Sequence, residues 1–275
     1  SINVLVFVRG QARDYNTWAQ MGNKGWSYDD VLPHFKSIES CEGDGDDEFR
    51  GKDGPLRVTN PDEKGPLYDT IIKAAGEVGI PYNKDYNGAK QEGISMSQAT
   101  IAGGRRMSTA HCFLDPVKSR PNLTIQTDAL SEGLILEGKR CVGVRYSVNG
   151  QPREARAGKE VVICAGTINS PQLLELSGIG QAERLKALGI EVQHDLPGVG
   201  ENLRDHYAPR TRWHIAAPGV TYNDRARGLG LAWLALRYLF TQKGLLGIPI
   251  APLRAFVKSR EGLEDPDVLL GWVPL

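Results

Sequence analysis

Apolar and polar positions along the chain change period often enough to outline its elements. Ile2 to Val8 is an apolar run that predicts a strand. Ser27, with Asp30 three positions on, has the pattern of a capping box and predicts a short helix, which Pro33 should bend or end early. Leu67, Ile71, Ala74, Ala75 and Val78 recur at helical spacing, giving an amphipathic helix that closes near Gly79. Gly103-Gly104-Arg105-Arg106 reads as a turn, Ser108 as the cap of a following helix, and Leu123 to Thr127 as a strand.

The middle of the chain alternates more regularly. Leu134-Ile135-Leu136, Cys141 to Tyr146 and Gln151 to Ala157 are strand-like runs, and Asn149-Gly150 is a strong hairpin signal, so a three-stranded meander is expected. Val161-Val162-Ile163-Cys164 follows as an unbroken apolar run, which predicts a strand buried on both faces and ending at Ala165. Ser170-Pro171 has the form of a helix cap and first residue, so a helix is expected to start within two residues of Ser170. Ala165 and Gly166 between them allow close approach to the backbone. Ala182 to Leu188 predicts a helix closed by Gly189, and Ile190-Glu191-Val192 a strand. Leu229 to Phe240 is apolar on most sides but too short to span a bilayer. It reads as a core helix, with docking on a membrane surface the weaker alternative. The closing run from Val268 is again strand-like.

Composition narrows the class. The 275 residues are 40% hydrophobic, enough for a substantial core, and Lys+Arg and Asp+Glu are both 33, for a formal net charge of zero. Nothing there favours nucleic acid or an anionic membrane as a partner. Cys41, Cys112, Cys141 and Cys164 show no metal spacing and are read as reduced thiols, with Cys141 and Cys164 as small buried hydrophobes. Reduced thiols suit a cytoplasmic protein. The acidic stretch Glu42 to Glu48 lacks the glycine and glutamate of a calcium loop and reads as a solvated surface loop, so no metal site is expected. Gly198-Val199-Gly200-Glu201-Asn202-Leu203 has leucine where a dinucleotide fingerprint needs its third glycine, and is not read as a pyrophosphate cradle. None of His34, His111, His194, His206 and His214 has a serine, carboxylate or histidine partner at ligand spacing. The chain starts and ends against strand-like runs, which reads as a segment of a longer protein.

One stretch carries a family resemblance. Gly166-Thr167-Ile168-Asn169-Ser170-Pro171-Gln172-Leu173-Leu174, followed by Ser177-Gly178-Ile179-Gly180, is similar to the second signature of the glucose–methanol–choline (GMC) flavoprotein oxidoreductases. The likeness extends to Val8 to Tyr15 and Gly25 to Tyr28, and to Leu196 through His206. Ser1-Ile2-Asn3 resembles the tail of the family's first signature, whose following amides reach the flavin; Val4-Leu5 stands where small residues are usual. Thr127 to Ser131 resembles the segment whose backbone pairs with adenine, with serine where valine is common and the register open between Ser131 and Leu130.

The resemblance implies an α/β (α+β mixed) fold: part of a doubly wound FAD-binding sheet with an antiparallel meander, and part of a substrate domain on an antiparallel sheet. The expected division is a flavin-contacting and lid segment over 1–60 and a connecting or substrate-domain segment over 61–105. The C-terminal half of the FAD domain would follow over 106–205 and the start of the substrate domain over 206–275. It implies FAD as cofactor, with Asn3, Val4, Leu130, Ser131, Ala165 and Gly166 as cofactor-binding residues. The activity implied is oxidation of a primary alcohol to an aldehyde by hydride transfer to flavin, most like choline-dehydrogenase-like enzymes, with a small-molecule alcohol as partner and the electron acceptor open. Choline-specific members tend to carry a carboxylate four residues before a phenylalanine. Here Pro252 precedes Phe256 at that distance, with Arg254 nearby, which points to an uncharged or acidic alcohol. The family's catalytic histidine, and its histidine or asparagine partner, match no position in this chain, so no catalytic residue is nominated. His206 reads as structural or near FAD. The alternatives are a flavin-bearing hydroxynitrile-lyase-like enzyme on the same fold, and a folded remnant without activity.

Overall fold

The structure is a computed structural model that describes residues 4–43, 45–60 and 65–275. Two compact units form: Pro121–Arg212, and the residues up to Arg120 together with Trp213–Leu275.

The second of these begins with an extended segment, then helices α1 (Ala12–Gln20) and α2 (Tyr28–Ile38), packed through the Tyr15 and Phe35 rings at 5.5 Å. The Ser27–Asp30 capping box forms as the spacing predicts. Pro33 does not end the helix: it sits inside α2 on an exposed face, where its cost is the single bond an N–H would have made to the Asp29 carbonyl. Strands β1 (Glu39–Glu42) and β2 (Leu56–Thr59) pair in parallel. Helix α3 (Pro66–Glu77) ends at Gly79, which adopts φ 84. Next come β3 (Gly93–Met96) and the small hairpin β4 (Ile101–Ala102) with β5 (Arg105–Arg106) across the Gly103-Gly104 turn. Ser108 then caps a π-type turn, Ala110–Leu114, by accepting the His111 N–H at 3.2 Å.

The expected strand Ile2 to Val8 is not formed over its described part: Val6 makes one bridge to Ala99, and Leu5 at φ 69 breaks any longer ladder. Asn3 lies outside the described residues.

The other unit is built on the predicted meander: β6 (Ala129–Glu137), β7 (Arg140–Val148) and β8 (Gln151–Arg156), all antiparallel. Asn149 and Gly150 take positive φ at the second hairpin, the backbone that a two-residue turn requires. Leu123 to Thr127 is not a strand; pairing begins only after Asp128, at φ 54, turns the chain into β6.

Val161 to Ala165 is not a buried strand. It has no ladder partner among the described residues, and Val162 is 73% exposed. A run buried on both faces needs a neighbour on each side, and this unit supplies none there. Helix α4 (Gly166–Leu176) starts four residues ahead of Ser170, because Gly166 at φ 90 turns the chain directly into it; Pro171 lies within the helix. Cys164 is accordingly exposed and Cys141 half-buried, while all four thiols are free. Strand β9 (Ile179–Gly180), helix α5 (Ala182–Ala187) and strand β10 (His194–Asp195) complete the unit; β9 and β10 pair in parallel, so the strand expected at Ile190 forms four residues later.

After Arg212 the first-described unit resumes with α6 (Tyr222–Arg225), α7 (Leu229–Thr241), β11 (Leu253–Val257) and β12 (Val268–Trp272). Strand β11 is the middle of an antiparallel sheet ordered β12-β11-β3. With side chains alternating in direction, Leu253 and Ala255 meet Ile94 on one face, and Ile71, Ile72 and Ala75 of α3 cover them. This is the main core, and full burial of Leu253 and Ile94 contributes about 2–3 kcal/mol each. Helix α7 is not a core helix: only Leu234 is buried, while Leu229, Leu236, Leu239 and Phe240 are exposed. It is held by the Tyr238 hydroxyl, which donates to the Gly104 carbonyl at 3.0 Å. No helix among the described residues is long and apolar enough to cross a membrane.

Candidate functional site

Four of the six sequence-selected cofactor residues fall in the unit Pro121–Arg212. Leu130 and Ser131 lie at the start of β6, one of the two edge strands of the meander, and both are exposed. Pairing with β7 slips between Ser131 and Gly133, so the strand bends there, and at Leu130 and Ser131 its outer backbone edge bonds no other described residue. Ala165 and Gly166 stand at the head of α4, exposed, and a Cβ on Gly166 would meet nothing within 4 Å. Helix α4 packs on β6, so both pairs belong to neighbouring elements. A free strand edge and an open helix start are backbone features that fit a nucleotide cofactor held through main-chain groups. Val4 belongs to the other unit and is 61% exposed.

The second half of the signature has a packing role. The Ser177 hydroxyl donates to the Leu173 carbonyl at 2.6 Å and accepts the Leu134 N–H at 2.8 Å, fixing the end of α4 to β6. Gly178 then takes φ 80, and a Cβ there would lie 2.3 Å from the Glu191 carbonyl oxygen, so the chain can turn this corner only with glycine. A shallow cleft of about 300 Å³ opens beside it, lined among others by Leu136, Arg145 and Leu176; none of the described candidate cofactor residues lines it.

The other unit contains a buried polar layer that sequence reasoning mostly missed. On the face of the β12-β11-β3 sheet opposite α3, Arg254 and Phe256 meet Tyr86, whose ring lies 5.3 Å from that of Phe256. The Tyr86 hydroxyl links to Gln98, and Gln98 accepts from Arg50 Nη1 at 2.9 Å. Arg50 is paired with Glu39 and, at 2.6 Å, with Asp85; Arg9 is also paired with Glu39. Burial pulls the Arg50 pKa down, but the hydrogen bond and charge of Glu39, with the charge of Asp85, raise it above its ordinary value on balance, whereas burial lowers Arg9 despite Glu39. Arg9 lies in the Val8 to Tyr15 stretch that carried the resemblance. Its ion pairing had no sequence signal, because Glu39 is thirty residues away.

Arg254 differs from these two. It is 7% exposed, its Nε donates to the Ser97 hydroxyl at 3.0 Å, and its guanidinium lies over the Tyr86 ring at 5.8 Å. No carboxylate among the described residues pairs with it, and burial lowers its pKa, with Tyr86 opposing.

The histidines are peripheral. His206 is exposed. His111 does have a carboxylate partner, Asp115 at 3.3 Å, because the π-type turn brings positions four apart to one side; the pair is exposed on both members.

Comparison with known proteins gives these features a family. The GMC oxidoreductase family model matches residues 1–208. The oxygen-dependent choline dehydrogenase of Brucella anthropi is 40% identical over 275 residues, all of this chain and 50% of that protein. The mitochondrial choline dehydrogenase of Mus musculus is 38% identical over 274 residues, again all of this chain and 46% of that protein. Among solved structures, an FAD-dependent oxidoreductase from Chaetomium thermophilum matches with a TM-score of 0.82 at 29% identity, over 93% of this chain and 47% of that one. The chain thus spans about half the length of the curated relatives it matches. The chain belongs to the GMC oxidoreductase family.

Proposed function

We propose that the protein oxidises a primary alcohol to an aldehyde with FAD as its cofactor. The match along residues 1–208 carries this reading, together with a signature helix whose start, Gly166, is open. FAD supplies the two-electron acceptor for the hydride leaving the carbinol carbon. The edge of β6 at Leu130 and Ser131 would offer N–H and C=O groups to the adenine, which needs no particular side chain and so tolerates serine. Gly166, with no Cβ, and Ala165, with only a methyl, would allow the cofactor to approach the backbone, and the family resemblance assigns Asn3 and Val4 to the flavin.

The relatives named for choline do not make choline the substrate here. A quaternary ammonium needs a carboxylate or an aromatic face, and Pro252 stands where a carboxylate would, two residues from a buried guanidinium. We read the substrate as a non-cationic primary alcohol.

The test is anaerobic titration of the intact, FAD-loaded gene product with primary alcohols. Bleaching of the flavin absorbance at one equivalent of aldehyde formed is the expected result. A flavin that stays oxidised while the protein cleaves cyanohydrins would replace this reading with a lyase.

A further inference from the structure

Among the described residues, three buried guanidiniums and two carboxylates make up the charged part of the polar layer, leaving one positive charge over, and that charge sits on Arg254. We infer that Arg254 holds an anionic group of the ligand, and that the alcohol taken by this protein is a hydroxy acid bound through its carboxylate. The second half of this rests on the alcohol-oxidising function proposed above.

The geometry is that of a prepared receptor. Ser97 donates its hydroxyl to the Ala251 carbonyl at 2.6 Å, so its lone pair is fixed toward Arg254 Nε. The Tyr86 ring covers the guanidinium, and the Tyr86 hydroxyl is already committed to the Phe7 carbonyl and the Gln98 N–H. Orientation is therefore set by two neighbours, Ser97 and Tyr86, neither of them charged. The two Nη atoms make no hydrogen bond to any described residue, and they keep some contact with solvent. With Nε engaged, the open edge presents two parallel donors, the spacing that the two oxygens of one carboxylate match. A purely structural arginine in this place would be a poor choice, since an unneutralised guanidinium is expensive to bury and a methionine would fill much the same space. A single surplus charge also suits a carboxylate better than a phosphate dianion.

The experiment uses the intact, FAD-loaded gene product with 4-hydroxybutyrate and 1,4-butanediol as substrates, and butyrate as a redox-inert probe in calorimetry. The wild-type protein should prefer hydroxybutyrate by kcat/KM and bind butyrate. In Arg254→Met the preference and the butyrate affinity should each fall roughly ten- to hundredfold, the range for one charge-assisted pair. The ligand-free variant should resist urea as well as wild type or better, which a structural brace would not do. Arg254→Lys, which keeps the charge and loses the fork, should lie between the two and serves if the methionine variant does not fold. A wild-type preference for the diol, or for a phosphorylated alcohol, would overturn the proposal. So would unchanged butyrate affinity in Arg254→Met with a loss of stability. If no alcohol is oxidised but butyrate still binds through Arg254, the anion site stands and the alcohol-oxidising function falls.

Discussion

The Tyr86 hydroxyl donates to the Phe7 carbonyl at 3.0 Å and accepts the Gln98 N–H at 2.6 Å, so one phenol joins the N-terminal segment to the strand region beyond β3. Burial pushes its pKa up to about 12, with the Arg254 guanidinium the largest opposing influence. A pKa raised above the unfolded value of about 10 gives stability that is complete below pH 10 and lost as pH rises toward 12. Tyr86→Phe should therefore cost about 1–3 kcal/mol at pH 8, from the buried Gln98 N–H left without its acceptor. The gap between variant and wild type should narrow by about 2 kcal/mol at pH 11.5. Urea denaturation at the two pH values checks this, and a gap that widens with pH would show that the phenol is already ionised in the folded state. None of this was legible in the sequence, where Tyr86 is one aromatic in a polar loop. Arg254 was visible as a residue, but its lack of a partner was not, because Glu39 and Asp85 are matched to other arginines only through folding.

At the scale of elements, what could be read from sequence was what is settled locally. The Ser27 box, the α3 stripe and the Asn149-Gly150 hairpin each depend on contacts within a few residues, and all three formed. Val161 to Ala165 failed because a strand is defined by partners, and apolarity does not supply them. The start of α4 was misplaced because Ser170-Pro171 is the usual cap pattern, while the actual turn is made by the backbone freedom of Gly166. Pro33 was expected to bend or end α2 early and is carried within it. Proline is about 3 kcal/mol less favourable than alanine inside a helix, and its loss loosens the unfolded chain by about 0.4–1 kcal/mol. Because Pro33 is exposed, Pro33→Ala should stabilise the unit by about 2 kcal/mol in urea titration. An unchanged midpoint would mean that the ring makes contacts worth as much as the missing hydrogen bond.

For the molecule as a whole, the 275 residues by themselves are expected to give no steady dye-coupled alcohol oxidation, even with excess FAD. The sequence offers no glycine-rich pyrophosphate loop, and each charge-assisted contact forgone there is worth about 1.5–3 kcal/mol. Turnover above a heat-killed control would place the needed groups among residues read here as structural. A different consequence follows from the sheet β12-β11-β3. The ladder partner of Ile94, Ala255, is made roughly 160 residues after it, and at about 5–20 residues per second that is a delay of roughly 8–30 s. Throughout that interval β3 lacks β11, the strand that pairs with it, and α3 has only half a core to cover. Synthesis rate and chaperone supply therefore bear on the yield of folded protein, and slow codons between residues 97 and 252 should lengthen the time for which an apolar edge is open to aggregation.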